Sequence, residues 1–259
     1  MSDLWDPGVG GRHPLAWPVR PLAERFAGLG EWPTIADLNA RLGDAVGEGI
    51  AFVPAAPRGR RRAPIASADD LYDGRIVRDG CVPSRTGSWH DFFNALVWAA
   101  WPSSKRALHA RQHAAIARRF GGPTRPLPPA RTLELDRLAM LDEGGVVVLA
   151  GPDVAGAIER AIRRGEAAAL DQAIAAGAAE LLLFGHALYD RLRGDDGRML
   201  AHAEVVAGDR SGAPSARLER ADHALARALG EGRAPTLGDT VAVDLDTLGA
   251  ATRAGDCRA

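Results

Sequence analysis

The residues best suited to chemistry are gathered in one stretch. Residues 87–113, GSWHDFFNALVWAAWPSSKRALHARQH, hold three of the six tryptophans, three of the seven histidines, one of the two asparagines and the only lysine, Lys105. Every other basic residue of the chain is arginine. A lysine kept against that bias points to a place where a compact ammonium, with a pKa that burial can lower, is wanted. His90 suits general acid–base work, Asp91 could orient a histidine, and Asn94 could donate hydrogen bonds. Lys105 and Arg85 would hold an anionic group, while Trp89 and its neighbouring tryptophans would exclude water. At about 100° per residue, His90, Asn94 and Trp101 share a stripe beside the apolar face of a helix. Asp91 and Trp98 border it toward the polar side. Lys105, His109 and His113 form an i, i+4, i+8 column on a following helix. A helical hairpin would bring the two columns together as a cleft with an apolar body and few fixed polar groups.

Structural readings compete residue by residue. His90 and Asp91 fall in a first helical turn, where either can serve free backbone N–H groups. Tryptophans at helical spacing are commonly core. The concentration of rare residues is what favours a site.

Metal and nucleophile patterns are incomplete. HARQH gives His109 and His113 the spacing of a helical zinc pair, without the glutamate of H-E-x-x-H. A third ligand would come from His90, Asp142, Glu143 or His186. The adjacent pair His90–Asp91 is shared by some metal phosphohydrolases, which need further ligands, and His13 lies far away. No metal ligand set is assigned, and the cofactor is left open. There is no G-x-S-x-G elbow, Walker motif or dinucleotide fingerprint; GVGG near the start follows no strand and reads as a loop. Cys81 precedes His90 by nine residues, with nothing else to support a thiolate site. His186, in LLLFGHALYD, stands at a strand-to-helix junction, where a base, a ligand or a cap would fit. Asp142 and Glu143 share a turn with two glycines and form a possible acid or ligand pair.

The elements that must position these residues can be read from periodicity. Residues 1–80 look irregular, rich in Pro and Gly, with helical pieces at RPLAERFAGLG and TIADLNARLG. PAAPRGRRRAP is a loop whose Arg58, Arg60, Arg61 and Arg62 read as a solvated turn. Residues 88–119 read as a helical hairpin: Ser88 and Asp91 form a capping box, and apolar residues recur at 89, 92, 93, 96, 97 and 100. Pro102 breaks the run; Ser103 or Ser104 caps a second helix, ended by Gly121-Gly122. After the link GGPTRPLPPA, residues 131–229 are of mixed type. RLAMLDEGGVVVLAG reads as two strands joined at Asp142–Gly145. PDVAGAIERAIRRG reads as an amphipathic helix, followed by a shorter one to Gly177. ELLLFGHALYDRLRG is a buried strand turning at Gly185 into a helix, MLAHAEVVAG a half-buried strand, and SARLERADHALARALG a final helix.

Composition narrows the class. Hydrophobic content of 46% and charged content of 25% suit a globular protein. A formal net charge of −1 gives no overall pull toward nucleic acid or anionic lipid. Two cysteines, Cys81 and Cys257, make no disulfide framework. The N-terminus lacks the pattern of a signal peptide. The most apolar window, Ile174 to Leu188, contains Glu180 and His186 and makes a poor membrane span. These features point to a cytoplasmic, non-membrane protein.

Three blocks, VPSRTGSWHDFFNALVWAAWPSSKRALHARQ, LDRLAMLDEGGVVV and LLLFGHALYDRL, together resemble the signature of an uncharacterised bacterial family, domain of unknown function 3025. The resemblance covers roughly residues 70–200. It implies that Arg85, Trp89, His90, Asp91, Asn94, Lys105, Asp142, Glu143 and His186 occupy the family's signature positions, and it implies no activity. His109 stands where the family pattern has asparagine, and the C-terminal part lacks the aromatic, proline-rich ending of relatives.

The sequence therefore predicts one α/β (or α+β) domain spanning 1–259, a helical hairpin against a small mixed sheet with further amphipathic helices. The expected function is an enzyme, a hydrolase of a small polar or anionic substrate. His90, Asp91 and His186 would be catalytic, and Arg85, Trp89, Asn94 and Lys105 would bind substrate. The alternative is a non-catalytic module binding protein or nucleic acid through Arg106, Arg111, Arg118 and Arg119 and exposed tryptophans. Oligomeric state is left open.

Overall fold

The computed structural model describes residues 4–56, 67–120, 131–194, 198–234 and 241–244. The arginine loop around Arg58–Arg62, the link 121–130 and Cys257 lie outside them. In chain order the elements are α1 (Arg20–Ala23), α2 (Ile35–Leu42), β1 (Ala51–Pro54), α3 (Tyr72–Asp79), β2 (Cys81–Ser84), α4 (Trp89–Ala100) and α5 (Pro102–Ala117). There follow α6 (Leu133–Gly144), β3 (Gly145–Ala150), α7 (Pro152–Arg163), α8 (Ala167–Ala175), β4 (Ala179–Leu183), α9 (His186–Arg191), β5 (Arg198–Ala207), α10 (Pro214–Gly230) and β6 (Val241–Asp244). This is the mixed α/β class expected from the sequence.

The helical hairpin forms as the spacing predicts, with only Trp101 between α4 and α5. Its caps differ from expectation. Ser88 accepts from the Asp91 backbone N–H at 3.3 Å, but the Asp91 carboxylate turns to Arg85 and leaves the capping box half made. The first turn of α5 is capped by neither serine. The Asp222 carboxylate on α10 accepts from the N–H groups of Ser103 and Ser104, at 3.0 and 2.7 Å. An acid facing free N–H groups at a helix start is stabilising, and this one comes from the far end of the chain.

Two expectations are corrected. Residues 1–80 are not wholly irregular: β1 and β2 pair in parallel, Ala51 opposite Cys81 through Pro54 opposite Ser84, with α3 between them. AFVP and CVPS are too short and too proline-marked to show an alternation of their own. The second correction is RLAMLD, which is helix, not strand. Thr132 caps α6 by accepting from the Leu135 N–H, and Leu135, Leu138 and Leu141 are buried three residues apart. That spacing belongs to a helix face.

β3 follows α6 without a loop, and every residue of it is buried. The larger sheet has the order β4-β3-β5-β6, with β3 antiparallel to β4 and parallel to β5. A strand covered on both faces reads as a continuous apolar run, as GVVVLA does. The expected turn at Gly185 is present. Trp101 Nε1 and the Tyr189 hydroxyl both donate to the Leu183 carbonyl, at 3.1 and 2.7 Å, closing the end of β4. The hairpin is thereby tied to the sheet.

Gly185 sits where two backbones nearly touch. A Cβ there would lie 2.4 Å from the Gly145 nitrogen, 2.5 Å from the Glu143 oxygen and 2.6 Å from the Gly144 nitrogen. All three are backbone atoms and cannot rotate aside. Gly185→Ala is expected to destabilise the fold by about 1–3 kcal/mol, the usual range for overpacking. Gly230→Ala, on α10 with open space around it, should leave thermal unfolding unchanged or slightly raised. Equal melting temperatures for both variants would contradict the close approach.

Candidate functional site

The site is built where the start of α4, the end of α6 and the start of α9 converge. The loop before α4 is fixed by Asp91, whose carboxylate accepts from the Arg85 backbone N–H, Nε and Nη2, each at 2.7 Å. Burial raises the Asp91 pKa, but the Arg85 hydrogen bonds outweigh it and hold the carboxyl below its usual range. Asp91 thus orients Arg85, not a histidine as expected, and both ends of that pair anchor the turn that carries His90.

His90 and His186 meet directly, although 96 residues separate them: their Nε2 atoms are 3.1 Å apart. The Glu143 Oε2 lies 3.2 Å from His186 Nε2 and 4.0 Å from His90 Nδ1. The close backbone approach at Gly185 sets His186 beside Glu143. His186 is the floor of the cluster, with its side chain 3% exposed, while those of His90 and Glu143 are 41% and 51% exposed. Burial, then the neighbouring His186, pushes the His90 pKa down. Burial pushes Glu143 up, but the His186 hydrogen bond and charge win and hold it below its usual value.

Behind this cluster runs a buried polar chain. Lys105, fully buried, donates from Nζ to Asn94 Oδ1 at 2.9 Å and to Asp142 Oδ1. The expected contact between the polar columns of the hairpin is therefore made, by Lys105 and Asn94. Asp142 Oδ1 faces His186 Nδ1 at 3.8 Å. Burial alone would raise the Asp142 pKa; the Lys105 and His186 charges reverse this and hold it far below the carboxylate range. The Lys105 ammonium also lies 5.4 Å from the Trp98 ring centre.

Tyr72 was not singled out in the sequence. Burial, then the Asp142 charge, pushes its hydroxyl pKa up, with a hydrogen bond from Asn94 acting against them. The residue as a whole is 41% exposed. Its hydroxyl interacts with Asn94 and Asp142. No sequence signal marked it, because Leu-Tyr-Asp-Gly lies in a segment without periodicity.

The remaining candidates sort differently. His109 and His113 do not make a zinc pair: His109 Nδ1 meets Asp73 and His113 Nε2 meets Asp69, each at 2.8 Å. Trp98 stacks on His109 with centroids 5.2 Å apart. Trp89 is buried against Trp5 and Trp32, with Arg193 4.1 Å above its ring. Trp89, Trp98 and Trp101 are all core. Arg111 and Arg118 bond Glu134 at 3.0 and 2.9 Å, and Arg106 bonds the Glu48 carbonyl. Arg119 also has a partner. The thiol of Cys81 contacts the Asp79 carbonyl at 3.6 Å.

Fold and site together define a mixed α/β protein that carries a His/Glu/His cluster at the end of a helical hairpin. Residues 61–238 match the family described as protein of unknown function (DUF3025), and the chain belongs to that family. Every candidate residue from Arg85 to His186 falls inside the matched region. No curated protein and no solved structure matches the chain. Among the described residues no helix is long and apolar enough to cross a membrane.

Lys105→Met would strand the Asp142 carboxylate in the interior. Breaking a buried pair in this way costs about 3–5 kcal/mol. The double variant Lys105→Met/Asp142→Asn should recover part of that loss. Urea unfolding of the two variants measures the difference, and a single variant as stable as the parent would show the pair to be solvated.

Proposed function

We propose that the protein is a single-domain cytoplasmic enzyme, a hydrolase of a small polar or anionic substrate, with His90, Glu143 and His186 as its reacting groups. One observation carries the reading: the buried imidazole of His186 lies within hydrogen-bond distance of both His90 and Glu143, whose side chains are open to a ligand. A lowered His90 pKa keeps that imidazole neutral near pH 7, able to accept a proton from water or a hydroxyl. His186 Nε2 lies between the two outer groups, 3.1 Å from His90 Nε2 and 3.2 Å from Glu143 Oε2. The buried chain Asp142–Lys105–Asn94 faces His186 from the other side, 3.8 Å from its Nδ1, and the Tyr72 hydroxyl extends this polar wall. Arg85, whose side chain is 45% exposed, is the candidate for meeting an anionic group at the mouth.

The nucleic-acid alternative draws less support. The tryptophans of the hairpin are buried, so they cannot stack on bases, and Arg106, Arg111 and Arg118 are bound to oxygen atoms of the chain itself.

The test is turnover on a panel of phosphate esters, carboxylic esters and amides. His90→Ala and Glu143→Gln should each lower the rate by about 10²–10⁴-fold, the range for loss of general acid–base catalysis. His113→Ala, two turns along α5 from Lys105 and paired with Asp69, should not change it. No turnover of any class, together with salt-sensitive binding of RNA or DNA, would overturn the hydrolase reading in favour of the binding module.

A further inference from the structure

We infer that His90, Glu143 and His186 bind one divalent transition-metal ion, zinc by the chemistry of the ligands. The inference deepens the hydrolase reading and rests on the same cluster. Each residue offers one ligand atom, and those atoms lie within 4.8 Å of one another. Two ligands of a tetrahedral zinc, each bonded at about 2.0–2.1 Å, stand about 3.3 Å apart. The two Nε2 atoms are 3.1 Å apart, and Glu143 Oε2 is 3.2 Å from His186 Nε2. These are the edges of a coordination shell. Glu143 lies farther from His90, 4.0 Å from its Nδ1, and its half-exposed side chain would turn toward the shared centre on binding.

The second support is the far side of His186. Its Nδ1 is buried and has no hydrogen-bond partner, yet it faces Asp142 Oδ1 at 3.8 Å. Neither neutral tautomer suits both sides: a proton on Nε2 leaves an Nδ1 lone pair facing Asp142, and a proton on Nδ1 leaves an Nε2 lone pair facing the Glu143 carboxylate at 3.2 Å. An ion at Nε2 resolves this. The proton then resides on Nδ1 and points to Asp142, the carboxylate–histidine–metal arrangement that orients ligands in metal sites. Lys105 fixes Asp142 in turn, so the arrangement would extend to a buried ammonium that cannot itself compete for the metal.

Two imidazoles and one carboxylate suit zinc or ferrous iron better than magnesium or calcium, which prefer oxygen ligands. Three protein ligands leave at least one position of a tetrahedral ion open, on the exposed side of His90 and Glu143. Such an ion would lower the pKa of a water at that position and make it a nucleophile, and His90 would then serve as a ligand in place of a base.

The experiment uses the full chain, free of a polyhistidine tag and stripped with a chelator, titrated with Co²⁺ alone. One equivalent should bind, with visible ligand-field bands that Zn²⁺ abolishes. His90→Ala and Glu143→Gln should weaken binding by at least about tenfold, and Asp142→Asn, acting through His186, by about 10–100-fold. Glu143→Gln keeps size and shape at a half-exposed position, so its effect cannot be ascribed to misfolding. Absence of saturable Co²⁺ binding, or binding indifferent to Glu143→Gln and His90→Ala, would overturn the inference. The two readings separate cleanly. Hydrolysis that survives the chelator yet falls in His90→Ala rejects the metal and keeps the hydrolase; stoichiometric Co²⁺ without turnover of any substrate does the reverse.

Discussion

The architecture of the site depends on a steric constraint: the backbone of Gly185 presses against Gly144 and Gly145 with no room for a side chain between them. Gly185 and Phe184 both donate to the Gly145 carbonyl, at 2.8 and 3.1 Å. One end of β4 is thereby stapled to the junction of α6 and β3, and α9 starts from that staple. Because α6 runs into β3 without a loop, Asp142 and Glu143 leave the helix at a fixed angle to the sheet. His186 is the first residue of α9 and has little choice but to face them. Pairing of β3 with β4 and placement of the histidine are one event.

The polar interior is graded in depth. At the bottom, Lys105 and Asp142 neutralise one another with Asn94 as a third partner; an ion pair so buried is tolerated because the charges oppose each other and a second oxygen meets the ammonium. It adds little to net stability compared with an apolar core, so its value lies in fixing positions. At the top, His90 and Glu143 reach solvent. His186 stands between the two levels and touches both. A ligand or proton arriving at the mouth thus acts on a group backed by the buried Lys105–Asp142 pair.

Much of this was legible in the sequence where the signal was local. Ser88, the apolar spacing of α4 and Pro102 define the hairpin within a few dozen residues. The clustering of rare residues pointed to Asn94 with Lys105, and the Gly185-His186 junction to the second half of the site. Long-range contacts were not legible. Asp222 caps a helix more than a hundred residues upstream, β1 finds its partner across α3, and Tyr72 reaches the site from a segment without pattern. The letters RLAMLD suggest a strand because the cap of α6, Thr132, and its first buried leucine precede them. Asp91 pairs with Arg85 because a bidentate guanidinium competes better for a carboxylate than a backbone N–H does.

The burial of Lys105 has a consequence for labelling chemistry. The chain has a single lysine, and its amine is sealed between two helices beneath Trp98. Apart from the α-amino group, an acylating reagent meets no nucleophilic amine on the folded surface. Modification at Lys105 would therefore record the moments when the hairpin parts from α6, making the protein's own composition a reporter of how often its interior opens.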